Sequence, residues 1–404
     1  MYIREESRNT LTIDKEVLMK DLKLDVLQFI FLLSTVYFFF VTSYMAIALT
    51  MIIIILFVSI ISRNDRYYLN LLQLLFVTNI VYLLFLYLAQ VNTTSFVFDE
   101  IIRLFIYILV LFIVNRLRIS MKSLYGITVF FVLFGLTIQI IQFLQIFDIT
   151  SILMQIYGES NHYKLTMYDS LSLFRSGGVY GNPNHYARVL LIFFVYLLYY
   201  HQMYNNSLSL KIILALSTLS IFFTGSRAAF LMLVFIILFT IYYNLKLNRI
   251  KIKSIINTLF ILTALIVFTF FVDNPDIDLR SFSVAEGFDD SISTKIIKIL
   301  EYYQYQNNTL KVLFGTGPIE QEGLSAIFSL DFDLGYLLVW YGVFGMLLVG
   351  LLSYFFLRKV KEDIKLFNYL MIIVFFGSIL TSGFLLNIRI FPIFITYLYI
   401  LNKE

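Results

Sequence analysis

No cysteine occurs anywhere in the chain, so disulfide bonding and thiolate chemistry are excluded, and the redox state of its compartment leaves no mark. Histidine is scarce, at three residues: His162, His185 and His201. Without cysteine and without clustered histidine, zinc and copper centres lack their usual ligands, and no metal or other cofactor is expected. No phosphate-cradling glycine loop of the nucleotide-binding kinds is present, and nothing points to a nucleic-acid partner. Charge is scarce as well. Charged residues make up 14% of the chain and apolar ones 60%, with mean hydropathy +0.85; soluble domains average about 45–50% apolar and about 25% charged. The N-terminal 25 residues are rich in charge, which excludes a cleavable signal peptide there.

What fills the chain instead is long apolar blocks. A bilayer core of about 30 Å needs about 20 such residues per helix, whereas barrel strands would give only weak alternation. The spacing predicts an all-α polytopic membrane protein with about twelve spans. They fall near 27–42, 44–62, 67–90, 101–115, 123–147, 185–203, 209–224, 228–244, 254–272, 334–357, 367–383 and 388–402. Residues 1–25 read as a cytoplasmic segment, with an interfacial helix along Leu11, Val17, Leu18, Leu22 and Leu24, and residues 26–402 as one transmembrane domain. Basic clusters at Arg63/Arg66, Arg116/Arg118/Lys122, Lys246/Arg249/Lys251/Lys253 and Arg358/Lys359/Lys361/Lys365 alternate with acid-rich connections. The positive-inside rule then puts both termini in the cytoplasm. Two connections are long, 148–183 and 273–333, both on the outer side. Long ordered loops between otherwise short turns are where function is expected. In the second, Ile292, Ile296, Ile299, Leu300 and Tyr303 are spaced as the apolar face of a surface or lid helix, opposite Lys295, Lys298 and Glu301. No internal repeat of the kind found in symmetric transporters is visible.

The polar residues that stand out sit at the outer ends of these helices. Arg175 and Arg188 flank Gly177-Gly178-Val-Tyr180-Gly181-Asn182-Pro183-Asn184-His185, Arg227 follows Thr224-Gly225-Ser226 between two apolar helices, and Arg389 lies near the last helix. Arginine at membrane depth costs about 2.5–3.5 kcal/mol on insertion scales and normally lines a bundle interior or a pathway. Snorkelling to headgroups or capping of carbonyls is the plainer role, and the one expected of Arg103. His201, at a cytoplasmic helix end, reads as solvated. Several guanidinium forks meeting at one wet face would hold a diphosphate bidentately. The glycines would admit backbone close to it, and Tyr180, Asn182, Asn184 and Ser226 offer neutral hydrogen bonds. A third cluster runs Gly315-Thr-Gly-Pro318, Asp331-Phe-Asp333-Leu-Gly335-Tyr336 and Tyr341-Gly342, with Gly345 beyond. Asp333 reads either as a helix cap or as a general base.

In this order, Arg175-x-Gly-Gly-x-Tyr-Gly-Asn-Pro-Asn, Thr-Gly-Ser-Arg227, Gly-x-Gly, Asp333-x-Gly-Tyr336 and Tyr-Gly-x-Phe-Gly resemble the O-antigen polymerase/ligase superfamily over roughly residues 170–390. The resemblance implies an enzyme of the bacterial inner membrane acting on undecaprenyl-diphosphate-linked glycans at its outer face, alongside a chain-length regulator and a flippase. Ligases of that superfamily carry a histidine before the helix that follows the second long loop. Here no histidine occurs in 202–404 and Asp333-Leu-Gly-Tyr336 stands in that place, which points to a Wzy-type polymerase of capsular polysaccharide or O antigen.

On that reading the reaction is metal-independent glycosyl transfer. Arg175, Arg188 and Arg227 stabilise charge on the departing lipid diphosphate, Asp333 or His185 takes the acceptor proton, and Tyr180, Asn182, Asn184, Ser226, Tyr336 and Arg389 bind substrate. A ligase of the same superfamily and a non-enzymatic flippase for the same lipid-linked sugars are the alternatives.

Overall fold

The computed structural model describes residues 96–116, 121–144, 175–180, 182–203, 208–246, 309–315, 333–358, 364–381 and 390–403, with isolated positions 77, 80, 81, 84, 152, 297, 300, 384, 385 and 387. The N-terminal segment, the first two expected spans and most of the third, the ninth, Arg389, His162 and most of both long loops, with nearly all of the expected amphipathic helix, lie outside them. Among the described residues every regular element is helical. These are α1 (Phe96–Arg116), α2 (Met121–Phe143), α3 (Pro183–Met203), α4 (Leu208–Phe223), α5 (Arg227–Lys246), α6 (Thr309–Phe314), α7 (Asp333–Arg358), α8 (Lys365–Thr381) and α9 (Ile390–Lys403), with a 3₁₀ turn at Gly178–Tyr180 before α3. Two of them, α2 and α5, are long and apolar enough to cross a membrane.

Helix α3 is the hub. Its sequence from Val189 to Leu197 is apolar all round, and a helix without a polar face can be stable only when neighbours cover it on every side. Helices α2, α4, α5, α8 and α9 pack around it, and Ala187 to Leu197 are buried without interruption. The one hydroxyl in that apolar run is matched: Tyr196 donates to the Met121 carbonyl at 2.8 Å.

The outer helices show the reverse of a water-soluble surface. Along α5, Leu231, Phe235, Leu238, Tyr242 and Leu245 form an exposed stripe at helical spacing, with Phe235 63% exposed. On its other faces Thr240 and Asn244 are buried, as are Gln139, Gln142, Ser217, Ser220 and Asn368 on neighbouring helices. Thr128, Thr218, Thr240, Thr381 and Thr396 each return a hydroxyl hydrogen bond to the carbonyl four residues back, so those hydroxyls need no water.

Helix α7 is not one rod. Gly342 has φ 61° and ψ −152°, which breaks it into 333–341 and 343–358. Short helix α6, unanticipated in the second long loop, ends against this break. A Cβ on Gly342 would stand 2.5 Å from the carbonyl oxygens of Val312 and Leu313, and one on Gly315 (φ 78°) 2.2 Å from that of Trp340. Only glycine fits such an approach at such a φ. The single span expected over 334–357 is therefore two helical pieces with loop backbone wedged at their junction.

Gly342→Ala should lower folded stability by about 1–3 kcal/mol through strain at that backbone position. The reading is a reduced melting temperature in detergent. Gly350→Ala in the same helix, where an added Cβ meets nothing within 4 Å, should not show it.

Candidate functional site

The Asn182-Pro183 pair starts α3 by local chemistry. The Asn182 carboxamide oxygen accepts from the amides of Asn184 (2.9 Å) and His185 (3.3 Å), while Pro183 fills the first helical position, where a missing N–H costs nothing. Asn182, expected to bind substrate, is taken up as the cap of this helix. Just upstream, the Ser176 amide donates to the Phe223 carbonyl at 3.0 Å, and its hydroxyl donates to Gln142. The strand-like stretch before α3 is thereby laid across the ends of α2 and α4.

That crossing brings two arginines into one neighbourhood. Arg175 is one residue before the Ser176–Phe223 contact and Arg227 four residues after it, at the first position of α5. The turn between them is tight: the Gly225 amide donates to the Phe222 carbonyl at 3.0 Å, Gly225 has φ 61°, and buried Thr224 and Ser226 close it. Both arginines are half-buried. Nη2 of Arg175 donates to Asn184 Oδ1 at 2.9 Å, which lays its guanidinium across the first turn of α3. Tyr180 is enclosed and stacks on Tyr186, ring centroids 6.2 Å apart, so it packs the base of this region.

Arg188 is placed differently from its two partners in the sequence expectation. It is 1% exposed, donates to Thr381 Oγ1 at 2.6 Å, and rests its other terminal nitrogen 3.7 Å from Met232 Sδ. Thr381 can accept because its own proton goes back to the Gly377 carbonyl. Asp333 is near enough for its charge to act on the guanidinium. Gly377 makes the arrangement possible, since a Cβ there would stand 2.2 Å from Met232 Sδ. Arg188 thus points into the junction of α3, α5 and α8.

Asp333, the first residue of α7, is wholly buried. Its Oδ2 accepts from the amides of Phe384 (2.5 Å) and Leu385 (2.6 Å), in the linker before α9. The same linker is held from two further sides. The Tyr107 hydroxyl of α1 donates to the Leu385 carbonyl at 2.5 Å, and Asn387 Nδ2 lies 3.0 Å from His185 Nδ1. Asn387 Oδ1 accepts from the Ile390 amide at 3.2 Å, which turns the amide nitrogen toward the imidazole. An amide nitrogen only donates, so Nδ1 of His185 accepts and the ring proton sits on Nε2. Both expected proton acceptors therefore have oxygen or nitrogen lone pairs engaged in holding one linker.

Seven helix ends meet here: those of α2, α4 and α8, and the starts of α3, α5, α7 and α9. Of the residues expected at a site, Arg175, Asn182, Asn184, His185, Arg188, Ser226, Arg227 and Asp333 are all at this end of the bundle. Tyr336 lies on the first piece of α7. Sequence reasoning passed over Thr381, Asn387, Met232 and the Gln139–Ser220 pair, in which the Ser220 hydroxyl donates to Gln139 Oε1 at 2.5 Å and Gln139 Nε2 donates to the Ser220 backbone carbonyl at 2.9 Å. Nothing near any of these in sequence marks it, because each partner is far away along the chain. Among the described residues no group of three or more metal-ligating side chains is found. No family model, no curated protein and no solved structure matches the chain.

Arg188 and Asp333 should behave as a coupled pair. Arg188→Met and Asp333→Asn each leave one buried charge without its counter-charge, and each should cost about 3–5 kcal/mol of stability. The double variant should lose clearly less than the two losses combined, by thermal unfolding in detergent. Additive losses would show that the two charges do not interact.

Proposed function

We propose that this chain is a bacterial inner-membrane polysaccharide polymerase, with about twelve spans and both termini cytoplasmic. It joins undecaprenyl-diphosphate-linked repeat units into capsular polysaccharide or O antigen at the outer face. Membrane residence is supported by enclosed polar side chains and exposed apolar stripes, the arrangement expected of a bundle surrounded by lipid. The observation that supports the reaction is the Ser176–Phe223 backbone contact, which sets half-buried Arg175 and Arg227 on adjoining chain segments at the end of the bundle assigned by charge to the outside.

An acceptor hydroxyl oxygen on a newly delivered repeat unit forms a bond to the anomeric carbon of the growing chain. The bond from that carbon to the lipid diphosphate breaks, the diphosphate leaves with the electron pair, and the hydroxyl proton is released. No nucleotide, metal or redox partner enters this balance. Two fixed guanidinium groups lower the barrier by meeting charge that develops only as the diphosphate departs. The N-terminus of α5 adds a favourable dipole at Arg227. The buried polar network under them, Arg188 with Asp333 and His185 with Asn387, keeps the helix ends in register and is assigned a positioning part. Tyr336 and Arg389 keep their sequence-based assignment to substrate binding.

The broken helix α7 favours a second reading, a flippase for the same lipid-linked sugars, because discontinuous helices with close backbone contacts occur at transporter sites. Purified protein in vesicles, given lipid-linked repeats already on the outer side, separates the two: a polymerase makes long chains and a flippase makes none. A ligase is separated by surface-glycan gels. Loss of a polymerase leaves one repeat unit attached, whereas loss of a ligase leaves chains stranded on the lipid carrier.

Arg227→Ala and Arg175→Ala should each slow polymer formation about 100- to 1,000-fold, the scale of losing one fixed donor to a developing anion. Single repeat units should persist. Lysine at either position should restore little, since the planar two-point fork is lost. Wild-type polymer length in a well-expressed Arg227→Ala strain would remove this residue from the reaction.

A further inference from the structure

Near the opposite end of the first α7 piece from Asp333 lies a second buried charged cluster, which plays no part in the arginine chemistry. Glu100 and Arg103 of α1 form an ion pair within one helical turn, with Glu100 3% exposed and Arg103 nearly as enclosed. The Tyr341 hydroxyl, from the residue before the break, donates to Glu100 Oε1 at 2.9 Å. Two tethers therefore join the 333–341 piece to α1. Tyr341 binds Glu100 directly, and Asp333 binds the Leu385 amide whose residue's carbonyl is held by Tyr107.

A continuous helix would inherit its placement from its longer half. Gly342 removes that inheritance, because φ 61° and ψ −152° interrupt the helical path between 341 and 343. The first piece needs anchors of its own, and the two hydrogen-bonded ends supply them. A buried carboxylate suits this purpose. It is already neutralised by an arginine on its own helix, so its remaining acceptor capacity is directional and strong.

We infer that Tyr341, Glu100 and Arg103 are a positioning latch that fixes the 333–341 piece, with Asp333 and Tyr336, against α1 at the reacting end of the bundle. The kinetic part of this inference rests on the polymerase reading, and the geometric part does not. The latch touches no substrate. It acts by keeping the piece in one place while sugar and diphosphate are bound, and small misplacements of positioning elements cost about 100-fold in rate.

Two measurements on the full-length protein test it. In polymerisation of purified lipid-linked repeats, Tyr341→Phe should lower kcat about 10- to 100-fold while KM for the repeat unit and the melting temperature stay near wild type. The double variant Glu100→Gln/Arg103→Met keeps a neutral acceptor for the tyrosine and leaves no unpaired charge, so it should retain most of kcat. Adding Tyr341→Phe to it should bring the loss back. Equal kcat in Tyr341→Phe and wild type, or a loss matched by a lower melting temperature, overturns the positioning role.

The second measurement needs no activity. Because the chain has no cysteine, spin labels at Phe105→Cys and Leu338→Cys report the distance between α1 and the 333–341 piece without background. Tyr341→Phe should broaden and shift that distance distribution. An unchanged distribution overturns the latch. A shifted one in a protein that makes no polymer even as wild type keeps the latch and removes the polymerase reading instead.

Discussion

A carboxylate enclosed in a helical bundle cannot be left alone, and much of this structure follows from how Asp333 is accommodated. Isolating such a charge from water would cost many kcal/mol, so amide donors and a cation must be close by. The donors come from Phe384 and Leu385, and Arg188 is a cation near enough for the two charges to act on each other. Each of these brings others. Arg188 requires the Thr381 hydroxyl, Thr381 requires the Gly377 carbonyl for its own proton, and Met232 can lie alongside only because Gly377 has no side chain. One charge thereby fixes the relative placement of α3, α5, α7, α8 and the linker before α9. Phe384 adds an apolar anchor to the same linker. Its ring sits among Phe375, Phe391 and Phe394 with centroids 5.2–6.1 Å away.

Several residue types associated with catalysis turn out to hold helix ends together. Asn182 starts α3, His185 steadies Asn387 at the start of α9, and Tyr180 packs on Tyr186. This division is physically sensible in a membrane bundle. Helix ends expose backbone groups that lipid and headgroups satisfy poorly, and short polar side chains are the natural remedy. The two arginines that stay half-buried, Arg175 and Arg227, are placed by this scaffold, Arg175 through its bond to Asn184. On the proposed reading, rigid helix ends hold these charges in position before a substrate arrives, which is what stabilising a transient anion demands.

The break at Gly342 gives the bundle one element whose position is set by hydrogen bonds more than by helix continuity. The wedge of α6 against it links the second long loop to α7, so that a loop expected to carry function and a helix bearing Asp333 share one junction. Energetically the contact is unusual only in its closeness: backbone lies on backbone, with glycine on both sides.

Local signals were strong enough to set the helices from sequence. Apolar runs of spanning length fixed α2 and α5, an asparagine–proline pair set the start of α3, and Thr224-Gly225-Ser226 fixed the sharp return between α4 and α5, because caps and turns depend on residues a few positions apart. Arginines at helix starts were equally legible as a class. Their separation into an enclosed Arg188 and half-buried Arg175 and Arg227 was not. Each lies beside apolar sequence, and what distinguishes Arg188 is Thr381, 193 residues away, together with Met232 and Asp333. The same holds for the break in α7, where Gly342 reads as an ordinary helix glycine until the carbonyls of Val312 and Leu313 close on it. Hydrophobic length and turn chemistry act along the chain, so the sequence by itself determined α2, α5 and the sharp return between α4 and α5. The partnering of buried charge and the close approach of backbones act across it, and only the tertiary structure could decide them.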